Sequence, residues 1–451
     1  MEVTGSKGGF ATLGDLAQGR CGAAAQLFTA PYWWDAAPPR QLARPVPASC
    51  DVAILGSGFT GLSAALTLLR RGRTVAVFEA GPLGYGASTR NGGQVGSGNQ
   101  KFRVRDLIAL RGEALAERLL REGVAMLDYI EEVVAREGIS CHFERVGRFR
   151  GAMRPDHYDA MARDMEDLHH LIGVDFVAVP RIEQEKEVGT ATFHGGVILP
   201  RDAAIHPALF HAGLVDRVEE AGGSLLDQAA VTAIEPLGSG FRVVSSRGET
   251  HARDVIVATN GYTSGPVGYL KRRIVPIHSA IIATGEISQA VINRAMPTRR
   301  VYGNSNRVFS YFRRAPAADR ILWGGRVARL ARTESPAAYS HLAKDLLHLF
   351  PYLASVKVTH GWTGAIGYTF DELPHLGRTP EGIHYAMGYC GTGVSRSTFF
   401  GNKIALKVIG DVAGKTPFDE IAFPTHPFQF AAKAAVPFYE AAYRVRDKMN
   451  F

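Results

Sequence analysis

The apolar and polar positions around residue 50 predict a strand, a helix and a second strand in close succession. Residues 50–55 form a short apolar run that ends at a glycine, a pattern typical of a buried parallel strand. From Leu62 to Leu69 the apolar residues recur at helical spacing, and the cations and glycine of residues 70–72 favour a helix end there. Residues 74–78 are again rich in apolar and β-branched side chains. We therefore predict a βαβ unit.

The rest of the chain predicts a mixed α/β protein. The first 47 residues become rich in proline towards their end and predict an irregular arm, with Tyr32, Trp33 and Trp34 packed on the protein body. Further patterns predict helices at about 105–136 and 155–171, strands at 227–234 and 254–258, a β-rich block at 273–363, and a strand, turn and helix at 382–406. This order predicts a discontinuous Rossmann-type domain with an inserted mixed α/β domain.

The six residues Gly56-Ser57-Gly58-Phe59-Thr60-Gly61 lie between the first strand and the helix and match the glycine pattern of dinucleotide-binding folds. The first glycine allows the tight turn, the second lets the backbone approach a diphosphate, and the third lets the helix pack on the sheet. Glu79 follows the second strand about twenty residues after Gly56, where an acid binds a ribose hydroxyl and disfavours a 2′-phosphate. The motif therefore indicates a dinucleotide whose phosphates meet a helix N-terminus.

Two further segments favour FAD over NAD. Residues 84–94 are rich in glycine and small side chains, which would let the backbone approach a large planar ring. The strand at 254–258 runs into a second turn at residues 259–261. No second G-x-G-x-x-G follows a strand and there is no Cys-x-x-Cys, which disfavours a reductase that uses NAD(P)H.

Composition and charge exclude several classes of function. Of the 451 residues, 46% are hydrophobic and 21% are charged, as in ordinary globular enzymes. The net charge of +8 would suit an anionic ligand, but Lys and Arg are scattered, so we expect no nucleic-acid partner. No uncharged apolar run reaches the ~18 residues of a membrane span. Four distant cysteines without zinc spacing, and no secretory signal, predict a cytoplasmic protein without a metal.

With these motifs established, the chain resembles the D-amino-acid-oxidase-like FAD family, and most of all its gamma-glutamylputrescine oxidase branch. Beyond the glycine motif with Glu79, the resemblance rests on residues 32–34, 86–88, 90–94, 200–209, 258–262, 324–326, 362–364, 371–374 and 388–394. It extends in order over nearly all of residues 30–412.

The resemblance implies a glutathione-reductase-like fold of the D-amino-acid-oxidase type, and we divide the chain accordingly. The FAD-binding domain would comprise residues 48–105, 196–270 and 362–412, and the substrate domain residues 106–195 and 271–361. Residues 1–47 would form an N-terminal arm, and residues 413–451 a C-terminal tail.

The reaction that the resemblance implies is amine oxidation with FAD as the redox centre. A hydride would pass from the carbon beside an amine nitrogen to flavin N5. Water would hydrolyse the imine to an aldehyde plus amine or ammonia, and O2 would be reduced to hydrogen peroxide. The substrate would be a gamma-glutamylputrescine-like or secondary amine. Because the amine must react unprotonated, a pocket that disfavours the ammonium form would assist the reaction.

The motif and the resemblance together imply which residues bind FAD and which take part in catalysis. By resemblance, the N–H groups of the loop at 391–395 would stabilise negative charge on the flavin pyrimidine. Because an aromatic cage suits an amine, we expect Tyr311, Trp323 and Tyr368 to be catalytic together with Thr392, and Tyr302 is a further candidate. His278 and His360 are expected to be structural. The expected FAD contacts are Gly56, Ser57, Gly58, Phe59, Thr60, Gly61, Glu79, Ala80, Gly86, Ala87, Ser88, Arg90, Asn91, Gly92, Gly93, Gln94, Val231, Ala258, Thr259, Asn260, Gly261, Gly364, Gly391, Thr392, Gly393, Val394 and Ser395.

The chain also departs from its relatives. Ser395 stands where sarcosine-type enzymes place a carboxylate-binding lysine, which favours an extended amine over a small amino acid, and Arg90 or Arg396 could bind a distal carboxylate. Relatives attach flavin covalently at positions that correspond to Asn91 and Gly364, whose side chains cannot form that bond, so FAD should be bound non-covalently.

The electron acceptor stays open at this level, because a lysine that helps oxygen react in relatives is absent from residues 321–324. An amino- or imino-acid dehydrogenase that passes electrons to a quinone is therefore one alternative. A non-catalytic FAD-binding subunit is another, since intact cofactor motifs fit both.

Overall fold

Two large β-sheets organise the chain, which a computed structural model describes over residues 3–4, 9–20, 26–326 and 335–427. The helices are α1 (Leu13–Gln18), α2 (Phe59–Arg70), α3 (Val104–Arg111), α4 (Glu113–Arg136), α5 (Pro155–Ile172), α6 (Pro207–Glu220), α7 (Gly268–Lys271), α8 (Gln289–Ala295), α9 (Ser340–Leu349) and α10 (Gly393–Val408). The strands are β1 (Val3–Thr4), β2 (Leu27–Phe28), β3 (Ser49–Leu55), β4 (Val75–Phe78), β5 (Gln94–Val95), β6 (Arg148–Gly151), β7 (Val177–Val179), β8 (Gly196–Leu199), β9 (Ala203–Ala204), β10 (Ser224–Leu226), β11 (Val231–Leu237), β12 (Gly240–Ser245), β13 (Gly248–Val257), β14 (Val275–Thr284), β15 (Val301–Asn304), β16 (Tyr311–Arg314), β17 (Ile321–Arg326), β18 (Val358–Tyr368), β19 (His375–Arg378) and β20 (His384–Met387).

The first sheet has a parallel centre in the order β10-β4-β3-β13-β20. Strand β13 pairs with β3 from His251 to Val257, while its other edge pairs first with antiparallel β12 and then with β20. Strand β4, which follows β3 in the chain, therefore lies on one side of β3, and β13 and β20 lie on the other. In open α/β sheets, the crevice at such a switch point, beyond the carboxyl ends of the strands, is where ligands bind.

Alternation along β3 explains how this sheet is covered on both faces. Val52 and Ile54 face one core, which they share with α2, α6 and α10. Ala53 and Leu55 face the opposite core, which the hairpin of β11 and β12 covers together with α7. A strand buried on both faces has to be almost continuously apolar, as residues 52–55 are.

The second sheet runs β1-β2-β18-β14-β17-β16-β15-β6-β8-β7 and is largely antiparallel. Its longest pair joins β14 to β18, from Val275 opposite Tyr368 to Thr284 opposite Val358. One face of this sheet forms a core with α1 and α9. Among the described residues, no helix combines the length and the apolar character needed to cross a bilayer.

Several predicted elements are corrected by the structure. The N-terminal arm is not irregular throughout, because α1 packs on α9 and buries Leu13 and Leu16, and β2 pairs with β18. Its end at residues 41–47 forms no helix or strand, as predicted. The single helix predicted for residues 105–136 is divided at Gly112, whose φ of 78° is incompatible with helix. The block at 273–363 also contains α8 and α9.

Two strands of the second sheet contain residues that the sequence assigned to the FAD-binding domain. Strand β8 lies within the segment assigned to the FAD-binding domain, yet it pairs with β6 and β7 of the second sheet. Strand β18 continues in the second sheet to Tyr368, past the boundary at 361. The parallel strands themselves come from three separate segments of the chain. Residues 428–451 of the predicted tail lie outside the described residues.

Candidate active site

The glycine motif forms a tight turn between β3 and α2. Gly56 has a φ of 101°, which favours glycine, and its N–H donates to the carbonyl of Phe78 at 2.8 Å. A Cβ at Gly61 would overlap the carbonyl oxygen of Gly56, so the first turn of α2 lies directly against the strand end. The first-turn N–H groups of a helix have no partner within it; here that of Phe59 donates to Ser88 Oγ at 2.9 Å.

Glu79 lies immediately after β4 and holds the same turn. Its Oε2 accepts hydrogen bonds from the N–H of Ser57 at 2.9 Å and from Ser57 Oγ at 2.8 Å. The carbonyl of Ser57 in turn accepts a hydrogen bond from His211 Nε2 at 2.7 Å, which ties the turn to α6. The turn is thus held from both sides by side chains distant in sequence.

The N-terminus of α10 lies beside that of α2. The preceding loop contains three residues with positive φ, Gly388 at 84°, Cys390 at 50° and Gly391 at 90°. The hydroxyls of Tyr389 and Thr60 are 2.7 Å apart and link the two helix starts. A Cβ at Gly401 would overlap the carbonyl oxygen of Thr60, so close packing of α10 on α2 requires glycine there. Two helix N-termini, each carrying a partial positive charge, therefore meet at one place.

These helix starts open on a cavity of about 290 Å³ between the two sheets. It is lined by Phe59, Thr60, Ala87, Ser88, Arg90, Asn91, Gly92, Gln94, Gly96, Gly98, Arg148, Ala258, Thr259, Asn260, Tyr262, Ser279, Ile281, Phe309, Tyr311, Gly325, Gly364, Ala365, Ile366, Tyr368, Tyr389, Gly391, Thr392, Gly393, Val394, Ser395 and Ser397. Most predicted cofactor contacts are among them, as are three of the four predicted catalytic residues, Tyr311, Tyr368 and Thr392.

Other predicted contacts lie outside this lining, within the part of the chain that the structure describes. Gly56, Ser57, Gly58, Gly61 and Glu79 build the turn behind it, and Ala80, Gly86, Gly93, Val231 and Gly261 lie beside or beyond it. Their roles as cofactor contacts stay predictions.

The structure contradicts the catalytic role predicted for Trp323, because the side chain of this residue does not line the cavity. Its ring stacks on Phe312 at a centroid distance of 4.5 Å and is fully buried in the core of the second sheet. Tyr302 shares that core and donates its hydroxyl hydrogen to backbone carbonyls. Phe312 pairs with Trp323 across β16 and β17, whereas Tyr311 pairs with Gly324. Since neighbouring residues of a strand face opposite sides, only Tyr311 points to the cavity.

The ring of Tyr311 is held between two glycines. A Cβ at Gly324 would overlap this ring, and a Cβ at Gly92 would lie 2.8 Å from its Cε2. The hydroxyl is 3.1 Å from Ser279 Oγ. Burial raises the pKa of Tyr311 to about 12, so the phenol keeps its proton at neutral pH. Phe309, Tyr262 and Tyr368 complete an aromatic wall.

The loop at 87–94 is held rigidly against the cavity. Asn91 Nδ2 donates to the carbonyl of Ser88 at 2.9 Å, and Asn91 Oδ1 accepts the N–H of Gly93 at 2.8 Å. Trp33 is fully buried, as expected, and its Nε1 donates to the carbonyl of Asn91 at 2.8 Å. The Arg90 guanidinium lies over the neighbouring rings of Trp34 and Tyr85, at 4.6 and 4.4 Å from their centroids. The N-terminal segment thus positions the cavity loop.

The charges around the cavity are unequal. Its described lining contains Arg90 and Arg148 but no Asp or Glu. Arg148 is paired with Asp202 at 2.6 Å. Behind the lining, Lys101 Nζ lies 3.1 Å from Glu372 and 4.9 Å from the Tyr368 ring centroid.

Arg396 also lies behind the lining, and its Nη2 donates to the carbonyl of Gly98 at 3.2 Å. Burial lowers the pKa of its guanidinium to about 10, so it remains cationic at neutral pH. Its Nε and Nη1 have no hydrogen-bond partner among the described residues.

Sequence reasoning missed several residues of the site. Arg148 and Phe309 had no recognisable signal, because their places in the cavity follow only from how β6 and the loop before β16 meet the first sheet. Ser279 could have been found, since it interrupts the apolar residues of β14. His360 lies away from the cavity beside Thr359 and Asp35. Among the described residues, no cluster of His, Cys, Asp or Glu is arranged to hold a metal.

The residues present fit a dinucleotide with a large planar ring. Gly58 adds no side chain at the start of α2, and a Cβ there would lie 2.9 Å from Ser88 Oγ. The glycine-lined loop and the α10 N-terminus leave backbone surface open to a flat ring, and a helix N-terminus suits an anionic group.

Comparison with known proteins agrees with this arrangement. The model of the DAO family, described as FAD dependent oxidoreductase, matches residues 51–406. The chain belongs to this family. It is 31% identical over 410 residues to gamma-glutamylputrescine oxidoreductase from Escherichia coli (strain K12), covering 89% of this chain and 94% of that protein. It is 28% identical over 380 residues to the probable oxidoreductase OrdL from Haemophilus influenzae, covering 83% and 86%.

Solved structures show the same fold. Glycine oxidase from Geobacillus kaustophilus superposes with a TM-score of 0.68 at 22% identity, covering 84% of this chain and 99% of that one. L-proline dehydrogenase from P. horikoshii gives a TM-score of 0.66 at 18% identity, covering 83% and 96%. The chain is thus an FAD-dependent oxidoreductase with the predicted α/β fold class.

Proposed function

We propose that this protein is an amine oxidase that uses FAD non-covalently and acts on an extended amine, either gamma-glutamylputrescine-like or secondary. The carbon beside the amine nitrogen is oxidised, the imine is hydrolysed to an aldehyde plus amine or ammonia, and O2 is reduced to hydrogen peroxide. The observation that carries the proposal is the cavity itself. One wall consists of two helix N-termini and a glycine-rich loop, and the other is aromatic and free of carboxylates among its described residues.

Each wall has a separate task in this proposal. The turn at residues 56–61 and the start of α2 bind the diphosphate, and Glu79 accepts a hydrogen bond from a ribose hydroxyl. The N–H groups of the loop at 391–395 would stabilise negative charge at the pyrimidine end of the ring. FAD, when bound, accepts the two electrons that leave the substrate carbon. The protein itself binds and orients the substrate and excludes water from the cavity.

The aromatic wall holds the amine in its reactive form. An ammonium ion in this cavity would meet no carboxylate on the described lining, and the carboxylates of Asp202 and Glu372 are already paired with Arg148 and Lys101. Desolvation without a carboxylate partner lowers the pKa of a bound amine. The neutral amine is therefore favoured, and its lone pair is available when the C–H bond breaks. Tyr311 stays a neutral phenol, which donates a hydrogen bond without adding charge.

The side chains near the ring site support non-covalent binding. Asn91 is engaged with its own loop, and Gly364 has no side chain. Cys390 is buried, and its Sγ lies 3.2 Å from the carbonyl of Gly388. Burial raises the pKa of this thiol, which keeps it protonated and unreactive. Denaturation by heat should therefore release free flavin.

The cations support an amine with a distal negative group. Arg148 lines the cavity near Gly96 and Gly98, and Arg396 lies behind Gly98. A gamma-glutamyl group would bring a carboxylate to this end while the amine lies at the aromatic wall. The similarity to gamma-glutamylputrescine oxidoreductase is consistent with such a substrate.

The test is anaerobic reduction of the purified yellow holoprotein, followed by admission of oxygen. A gamma-glutamyl diamine should bleach the flavin absorbance faster than the same diamine without the glutamyl group, and oxygen should restore the colour with formation of peroxide. Tyr311→Phe should slow bleaching by about tenfold, as expected for one lost hydrogen bond. Tyr302→Phe removes a hydroxyl on the opposite face of the sheet and should leave the rate unchanged.

The alternatives give different results in the same cuvette. Colour restored by a quinone but not by oxygen would identify the dehydrogenase, which the absence of lysine from residues 321–324 of β17 keeps open. No bleaching by gamma-glutamyl amines, polyamines, sarcosine or cyclic imino acids would identify a non-catalytic subunit.

A further inference from the structure

A second cavity, separate from the active site, lies between the segment before β6 and the loop after β16. Its volume is about 160 Å³, and its polar lining comprises His142, Glu144, Arg299, Arg313 and Arg314. We call it the arginine pocket. It shares no lining residue with the active-site cavity.

The arginine pocket has more positive than negative charge. Arg314 is neutralised by Asp319 at 2.7 Å. Arg299 and Arg313 make no ion pair with any described residue, and Glu144 is the single carboxylate in the described lining. Burial, followed by the charge of Arg299, lowers the pKa of Arg313 to about 10, so the Arg313 guanidinium remains cationic at neutral pH. Arg313 is buried, whereas Arg299 is exposed. A buried cation without a carboxylate partner is costly unless an anion joins it.

Arg313 connects this pocket to the active-site loop. Its Nη1 donates to the carbonyl of Gly93 at 2.7 Å and to that of Ile205 at 2.9 Å. Its Nε donates to the carbonyl of Arg314 at 3.0 Å, and no hydrogen bond of Nη2 occurs among the described residues. Gly93 lies next to Gly92 and Gln94, which line the active-site cavity. A ligand on Nη2 would therefore act on the guanidinium that holds the cavity loop.

We propose that the arginine pocket binds a small, multiply charged oxyanion such as inorganic phosphate, and that its occupancy alters the flavin environment through Arg313 and Gly93. The planar fork of a guanidinium matches the spacing of phosphate oxygens, and two such groups converge here. Glu144 opposes the anion, which limits its affinity. The inference does not depend on which amine the enzyme oxidises.

Titration calorimetry of the holoprotein with phosphate, at an ionic strength held constant with KCl, tests the binding. We expect saturable binding that Arg299→Gln weakens by about tenfold, the effect of losing one charged hydrogen-bond donor. Glu144→Gln should tighten binding, because it removes the opposing charge. Arg163→Gln, which removes the same charge from an exposed arginine outside the pocket, should leave binding unchanged.

The visible absorbance of the flavin tests the connection. We expect a difference spectrum that saturates at the same phosphate concentration as the heat, and that Arg299→Gln shifts to higher concentration. Heat that does not exceed the KCl control, or equal affinity of wild type and Arg299→Gln, would overturn the site. Saturable binding without any flavin difference spectrum would overturn the connection through Arg313.

Discussion

Gly58 shows how much a single residue decides at this site. It lies at the start of α2, where a Cβ would lie 2.9 Å from Ser88 Oγ, the group that accepts the N–H of Phe59. Any side chain here would also cover the N–H groups that a diphosphate is proposed to reach.

We expect Gly58→Val to purify without flavin, because the valine methyl groups block approach to the helix N-terminus. The ratio of visible to ultraviolet absorbance measures flavin content, and circular dichroism confirms that the variant is folded. Gly9→Val is the matched control, since a Cβ at Gly9 would have no neighbour within 4 Å and its φ is not positive. A yellow Gly58→Val protein would contradict the placement of the diphosphate.

Tyr311 and Trp323 show at the same scale what strand periodicity leaves undecided. Both are aromatic residues of the β-rich block, and the sequence predicts a catalytic role for both. Alternation predicts that successive residues face opposite sides, but it does not say which side is the cavity. The pairing of β16 with β17 places Trp323 on the same face as Phe312, and the packing of that face in the core of the second sheet decides the matter.

At the scale of elements, α6 stabilises the turn at residues 56–61. His211 on this helix is fully buried and donates from Nε2 to the carbonyl of Ser57. Burial lowers the pKa of His211 to about 4, below its ordinary value of 6.5. Between these two pH values the unfolded chain binds a proton that the folded protein does not. The free energy of unfolding therefore falls as the pH falls through this window.

We expect His211→Gln to lessen this loss of stability in acid, because the glutamine amide donates a hydrogen bond but does not titrate. The slope of unfolding free energy between pH 6.5 and 4.5 should decrease by up to about 1.4 kcal/mol per pH unit, the value for one proton. Urea unfolding followed by tryptophan fluorescence measures it. His170→Gln replaces an exposed histidine and should leave the slope unchanged. The same slope in both variants would show that His211 is not the titrating group.

At the scale of the whole molecule, the two sheets have largely separate cores. Leu16 of α1 is buried with α9 in the core of the second sheet, away from the turn at residues 56–61. The N-terminal segment therefore packs with the second sheet, and it also reaches the cavity loop through Trp33.

We expect Leu16→Ala to cost about 2–5 kcal/mol of stability, the range for a large-to-small change in a core. Flavin content should stay normal, because the turn at 56–61 is not touched. Thermal unfolding followed by tryptophan fluorescence measures the first effect and flavin absorbance the second. Leu110→Ala, at a leucine that is 54% exposed, is the control. An unchanged melting temperature for Leu16→Ala would contradict the packing of α1 on α9.

Local patterns in the sequence were sufficient to predict the parts of the fold that are formed by residues close together in the chain. The turn at Gly56, the helix that follows it and Glu79 were all predicted, because strand, turn and helix lie within one βαβ unit. The family resemblance extended this to the fold class and to FAD.

Only the tertiary structure decided which distant groups meet. The face of β16 and β17 that lines the cavity, the pairing of Arg148 with Asp202, and the contact of Arg313 with Gly93 join residues from separate segments. Periodicity along one strand specifies two faces but not their surroundings, and a charge does not reveal its partner. Those surroundings arise when the two sheets pack, and they determine which side chains can reach a substrate.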